Sequence, residues 1–264
     1  KYCKRFYLFY SQSDTIRHQV GDKLISPIFS IPWRHHIEIL TKCRTIDEAL
    51  FYVGKTLENG WSRAVLLNFL DARLFETQGK ALTNFRKNLP EPMSDLAQQT
   101  LKDPYNFDFL TMRENYNERE LEDALTTNIT RFLLELGSGF AFVGRQVRLE
   151  VNGNEYFIDL LFYHLKLRCY TVVELKVTEF KPEYLGQLGF YVTAVNRQLR
   201  RTEDNPTIGL IICKTKDRVV AEYALEGTNQ PLGISQYDLM KVTSEELKNT
   251  LPSIEEIENE LNEK

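Results

Sequence analysis

The sequence predicts a two-domain α+β protein, with an all-helical, helix-turn-helix-like N-terminal unit followed by an α/β core. Two patterns carry this reading. Apolar residues recur at helical spacing through the first ninety positions, and later a helix is followed by three successive β-rich runs and then by alternating helices and strands. Their order of helix, hairpin, strand, helix, strand is that of an α/β unit. The expected division is a helical domain over 1–87, a linker over 88–108 and a second domain over 109–264.

In the first unit, breaks fall at Gly21, between Pro27 and Pro32, and at Asn59-Gly60, whose glycine suits a helix C-terminus. Residues 33–41 and 46–58 read as helices, and 62–75 as a third with Ser62 as N-cap. Short helices joined by tight turns allow a helix-turn-helix. The third would then be the recognition helix, and Arg34, Arg63, Asn68 and Arg73 are the candidate DNA contacts. An ordinary helical bundle explains the same periodicity and is the commoner outcome.

Residues 88–108 carry Pro90, Pro92 and Pro104 and no sustained apolar period, so they read as a connector. A helix over 117–136 ends at Gly137-Ser138-Gly139, and β-rich runs follow at 140–151, 154–164 and 168–177, the first two joined by a good hairpin turn at Asn152-Gly153. Next come a helix over 181–198, an apolar strand over 207–213, a helix near 217–226 and a β segment near 233–237. A Glu-rich amphipathic helix over 253–261 closes the chain, where it could dock on the protein or a partner helix; its acidic face argues against DNA contact.

The composition of the 264 residues is that of an ordinary globular protein, 42% apolar with a net charge of −4. No run approaches the roughly 18 apolar residues of a membrane span, and the N-terminus lacks a signal-peptide cleavage site. Cys3, Cys43, Cys169 and Cys213 are scattered singly, which excludes a local zinc knuckle or disulfide framework and points to a reducing cytoplasm. Charge is uneven: 14 basic against 10 acidic side chains over 1–100, 17 against 20 over 101–244, and 2 against 7 over 245–264. A mildly basic front allows an anionic partner without requiring one.

The chemistry lies in the second domain. The strand Cys169-Tyr-Thr-Val-Val-Glu-Leu-Lys-Val177 puts Glu174 and Lys176 on one face of an otherwise apolar run. Burying charge costs several kcal/mol unless it is paired or binds a metal. Glu-x-Lys recurs at 179/181 and 246/248, but only the first has apolar strand context. Asp159 is a second misplaced acid, inside Tyr156-Phe-Ile-Asp-Leu-Leu-Phe162. As cross-strand neighbours, roughly 4.5–5.5 Å apart, Asp159 and Glu174 could share a hard divalent ion with the carbonyl of Leu175. Mg²⁺ suits two carboxylates because it keeps several waters, and Lys176 could orient the attacking water. A buried structural ion pair is the alternative. On the following helix Gln187 and Tyr191 are i, i+4 neighbours, and Gly186 and Gly189 suggest that something packs closely there.

Asp159, Glu174-Leu-Lys176 and Gln187-x-x-x-Tyr191 together resemble the PD-(D/E)xK nuclease superfamily, with Ile158-Asp159 where the leading Pro-Asp usually stands. Phe157-Ile-Asp-Leu-Leu-Phe-Tyr163, Val173-Glu-Leu-Lys176 and Gly186-Gln-Leu-Gly-Phe-Tyr191 resemble the nuclease domain of the bacterial YhcG family. Pro32-Trp33-Arg-His-His-Ile37 and Asn59-Gly-Trp-Ser-Arg63 resemble that family's helical domain. The resemblance implies a restriction endonuclease-like core with a mixed central sheet. Asp159 and Glu174 would hold Mg²⁺, or Mn²⁺ in its place, Lys176 would serve the water, and an acid on the first helix would assist, Glu122 before Glu118. Gln187 and Tyr191 would orient the site. A segment of the family ahead of Lys1 is expected to be missing.

His164 reads as a surface residue at a strand end. His18, His35 and His36 carry no metal spacing, and Trp61 suits packing more than base stacking. The expected function is a Mg²⁺-dependent DNA endonuclease in phage defence, mobile-element or repair processes, with a homodimer allowed because a double-strand break takes two cuts. The alternatives are an inactive DNA-binding or assembly protein with the same fold, and a nuclease acting on RNA.

Overall fold

A computed structural model describes residues 2–11 and 25–239. The tail helix expected over 253–261, Gly21 and His18 lie outside them. The helical unit comprises α1 (Tyr2–Tyr10), α2 (Ile25–Phe29), α3 (Trp33–Lys42), α4 (Ile46–Asn59), α5 (Arg63–Asp71) and the single turn α6 (Leu74–Thr77). The side chain of Thr45 caps α4 by accepting from the Glu48 N–H, and Gly60 ends that helix at φ +61°. Ser62 caps α5 as its sequence predicts, yet α5 stops at Asp71. Arg73 takes a left-handed φ of 49°, so the expected third helix breaks before its end. Ile39, Leu40, Ala49, Tyr52, Leu66 and Phe69 form this unit's own core.

The second unit is a mixed sheet in the order β1-β7-β6-β5-β4-β3. Its strands are β1 (Leu82–Thr83), β3 (Phe140–Val151), β4 (Asn154–His164), β5 (Cys169–Glu179), β6 (Ile208–Thr215) and β7 (Leu232–Asp238), with β2 (Tyr105–Asn106) parallel to β7. β3, β4 and β5 form an antiparallel meander, whereas β5, β6 and β7 run parallel. The parallel connections are the helices α11 (Tyr184–Gln198) and α12 (Arg218–Glu226), whose apolar sides lie on one face of the sheet. The expected helix over 117–136 is two, α9 (Glu118–Thr127) and α10 (Ile129–Leu136), which meet at a non-helical Asn128 and pack on the other face. A capping box between Asn117 and Glu120 fixes the start of α9.

Residues 88–108, expected as a linker, are built into this core together with those just ahead of them. Ala81, Phe85, Leu89, Met93, Ala97, Leu101 and Tyr105 all lie in the cluster beneath the sheet. They are four residues apart, a helical spacing that the prolines interrupt in the sequence without abolishing it in space. Within the segment are α7 (Phe85–Asn88) and α8 (Met93–Thr100). Asn84 anchors it: its amide nitrogen donates to the carbonyls of Leu225 and Gln230, and its oxygen accepts from the Leu232 N–H.

His164 is a correction to the surface reading. It is wholly buried at the end of β4, edge-on to Phe140, and its Nδ1 accepts from the Leu167 N–H at 3.1 Å. Gly139, at φ +102°, makes room for it; a Cβ there would lie 2.8 Å from the ring. Burial, with Lys166 nearby, pushes the imidazole down to about 4 from 6.5. The fold therefore holds the neutral ring, and the stability this confers is present above pH 6.5 and is lost as pH falls toward 4. That loss is about 3 kcal/mol. Urea unfolding of His164→Asn at pH 7 and pH 4.5 should show a smaller acid-side decline than the wild type; equal declines would contradict the assignment.

Candidate active site

The antiparallel ladder between β4 and β5 runs from His164–Cys169 to Leu160–Val173 and stops. Asp159 and Glu174 would form the next pair. Here the strands part, β4 staying with β3 while β5 stays with β6 through Glu179. The cross-strand pairing expected for the two acids is thus replaced by a fork. Their carboxylates take over the freed backbone donors: the Leu175 N–H donates to Asp159 Oδ2 at 3.0 Å, and the Asp159 N–H to Glu174 Oε1 at 3.4 Å. The Leu175 carbonyl leaves its strand on the same side as the N–H and so faces the same gap.

Lys176 and Glu174 share the β5 face toward α11. Lys176 Nζ lies 3.3 Å from Glu118 Oε2 and 3.9 Å from Glu174 Oε2, and it sits 5.4 Å from the centre of the Tyr184 ring. Gln187 Nε2 donates to Glu174 Oε2 at 3.4 Å and to the Tyr191 hydroxyl at 3.0 Å, so α11 reaches the fork through both residues. Glu122, buried on α9, joins through Gln146 of β3, whose amide donates to Glu122 Oε2 at 2.5 Å and to Asp159 Oδ1 at 3.5 Å. Glu118, the second choice for an assisting acid, holds Lys176 instead. Gln146 was not among the sequence candidates, because its contacts follow from a backbone turn with no sequence signature.

Three carboxylates, Glu118, Asp159 and Glu174, therefore act on one ammonium, and a fourth, Glu122, reaches the fork through Gln146. Burial and then the neighbouring Asp159 push the Glu174 carboxyl up to about 8. Burial also raises Asp159 and Glu122, partly offset by the Leu175 N–H and by Gln146 respectively. Burial works against the Lys176 charge, but Glu174, Glu118 and Asp159 outweigh it and raise its pKa. Such crowding of anions fits a hard divalent cation. Among the described residues no three His, Cys, Asp or Glu side chains converge into a protein-only cage. Two carboxylates and a carbonyl match a cation that keeps part of its water.

The close approach expected at Gly186 and Gly189 is absent. A Cβ at Gly186 would meet nothing within 4 Å and one at Gly189 only the Gln230 side chain at 3.7 Å. The tight contact of α11 is instead at Gly209 in β6, where a Cβ would lie 2.8 Å from Leu188 and 2.9 Å from Val192.

The four candidate DNA contacts lie apart from the fork, on the helical unit. Arg34 and Arg73 are exposed, Arg73 within 3.7 Å of Glu76. Arg63 is engaged by Glu38 at 2.6 Å. Asn68 lines a cleft shared with Asp108, Arg131 and Glu135 of the second unit. Trp61 stacks on Phe69 with ring centres 4.2 Å apart, a packing role.

Residues 98–252 match the family description "YhcG PDDEXK nuclease domain", and residues 1–77 match "DUF1016 N-terminal domain". A protein of Escherichia coli (strain K12) named "Putative nuclease YhcG" is 32% identical over 247 residues, which is 90% of this chain and 65% of that protein. The chain thus spans about two thirds of its relative's length. Solved structures with similarity include a repair endonuclease from Pyrococcus abyssi, at 13% identity over 50% of each chain with a TM-score of 0.32. Another is EndoMS in a complex with dsDNA, at 14% identity over 52% of this chain and 49% of that one, with a TM-score of 0.34.

Proposed function

Because the chain belongs to the YhcG family of PD-(D/E)xK nucleases, we propose that it is a metal-dependent DNA endonuclease that hydrolyses phosphodiester bonds at the β4/β5 fork. The observation that carries this reading is the excess of buried carboxylates around Asp159 and Glu174, an arrangement that costs stability until a cation balances it. Asp159, Glu174 and the Leu175 carbonyl would hold the ion, Mg²⁺ with Mn²⁺ as substitute. Bound there, it would supply Lewis acidity toward the phosphate and lower the pKa of water.

The chain's own residues do the rest. Lys176, held between Glu118 and Glu174, presents an ammonium that orients the attacking water and offsets charge developing on the phosphate. Gln187 and Tyr191 fix the Glu174 carboxylate from the α11 side, and Glu122 adds a carboxylate from α9 that assists. In the reaction a water oxygen bonds to phosphorus, one P–O bond to a sugar breaks, and that sugar oxygen leaves with a proton. The N-terminal helices would position the duplex through Arg34, Asn68 and Arg73, with Arg63 exchanging Glu38 for a phosphate. A second copy would provide the second cut of a double-strand break. Phage defence, mobile-element processing and repair are settings that use such a cutter. No helix of the described residues is long and apolar enough to cross a membrane.

Thermal unfolding with and without metal tests the site directly. Mg²⁺ or Mn²⁺ at a hundred times its Kd should stabilise the wild type by about 2.7 kcal/mol. Asp159→Asn keeps an acceptor for the Leu175 N–H but removes one crowded charge, so it should melt no lower than the wild type without metal and gain nothing from metal. An equal metal response in both proteins would instead favour a structural ion-pair network.

A further inference from the structure

Gln146 takes a φ of +45° in the middle of β3, a left-handed conformation for a side-chain-bearing residue inside a strand. Such a residue is disfavoured relative to the right-handed conformations, because its Cβ is brought close to the following carbonyl oxygen. The flanking pairs Arg145–Leu160 and Val147–Ile158 are in register, yet Gln146 and Asp159 are not paired. The ladder, which also shifts register between Phe142 and Gly144, is therefore interrupted here opposite the acid at the fork. The interruption puts the Gln146 amide nitrogen 2.5 Å from Glu122 Oε2 and 3.5 Å from Asp159 Oδ1. Local strain that serves two buried or half-buried carboxylates from different elements marks a functional constraint.

The choice of side chain has a chemical reason. A primary amide carries two N–H donors, so one residue can hold two anions at once. It does so without charge: Lys or Arg would cancel the negative field a cation needs, and Glu would repel both partners. Docking of α9 on β3 does not depend on Gln146, because Arg145 separately binds Asp123 and the Thr126 hydroxyl.

We propose that Gln146 is a positioning residue of the metal site, pinning the Glu122 and Asp159 carboxylates together across the break in β3. It acts through those carboxylates, as hydrogen-bonded supports behind metal ligands do. The inference rests on the metal-nuclease reading and deepens it, and Mn²⁺ binding measured by titration calorimetry separates the two. Gln146→Gly removes the amide while accepting the left-handed backbone, and Gln146→Met keeps the side-chain length without donors. Both should bind Mn²⁺ about 10–100-fold more weakly than the wild type. Gln146→Gly should also melt within a few degrees of the wild type in the absence of metal, which a residue needed only for folding would not do. Affinities in both variants equal to the wild type would overturn the inference while leaving the metal site standing. A wild-type titration with no binding would overturn the metal reading and the inference with it.

Discussion

Lys176→Ala should slow DNA cleavage by about 10²–10³-fold at saturating metal, the usual effect of removing one group that stabilises charge in a transition state. The loss should fall on the rate and not on the metal. Lys176 faces the fork as a cation beside Glu118, Asp159 and Glu174, so deleting it leaves the anionic donors in place and the Mn²⁺ affinity unchanged or tighter. Asp159→Asn should lose both. Single-turnover cleavage of a plasmid across a metal titration reads the two effects separately, with DNA binding followed in EDTA. If Lys176→Ala cleaves like the wild type, the ammonium is a structural counter-ion, and the role assigned to it is wrong.

Lys102→Ala should destabilise the protein by about 3–5 kcal/mol, the cost of leaving a buried carboxylate without its counter-ion. Lys102 is 1% exposed and lies 3.1 Å from Glu135, with its ammonium 5.3 Å from the centre of the Phe69 ring. It joins α10 of the second unit to α5 of the first. Burial lowers the Lys102 pKa and raises that of Glu135, so each partner is held short of its full charge preference. Among the described residues the ammonium meets this one carboxylate and the Phe69 ring, which leaves part of its desolvation uncompensated. Lys102→Met with Glu135→Gln should therefore recover most of the loss, since Gln still accepts from the Asn106 N–H that Glu135 now binds at 3.0 Å. Denaturant midpoints for the two single variants and the double settle it; a double variant as unstable as Lys102→Ala would show that the charge itself is required.

The elements of the second unit were legible because strands and helices leave periodic traces, and the acids were legible because charge inside an apolar run has no bland explanation. Asp159, Glu174 and Lys176 are of this kind. What was not legible depended on backbone geometry. No pattern announces that β4 and β5 part after Leu160–Val173, or that Gln146 turns left-handed, and both decide which groups meet. His164 was misread because a strand end is ordinarily wet, whereas here Gly139 and Phe140 close over it. Asn128 interrupts a helix whose apolar period runs on unbroken across it.

The prolines between Pro90 and Pro104 misled in a more instructive way, because they punctuate a strap that is apolar at every fourth residue. Its consequence concerns modularity. A strap that starts at Ala81, adds β1 to the edge of the sheet and ends beneath it at Tyr105 buries its apolar side chains in the core of the second unit, although Lys102 and Asp103 also touch the first. Recombination that exchanged the front helices for another module would have to break the gene ahead of Ala81. A crossover placed among the prolines, where the sequence looks most permissive, would carry half the floor of the nuclease core away with the module it meant to replace.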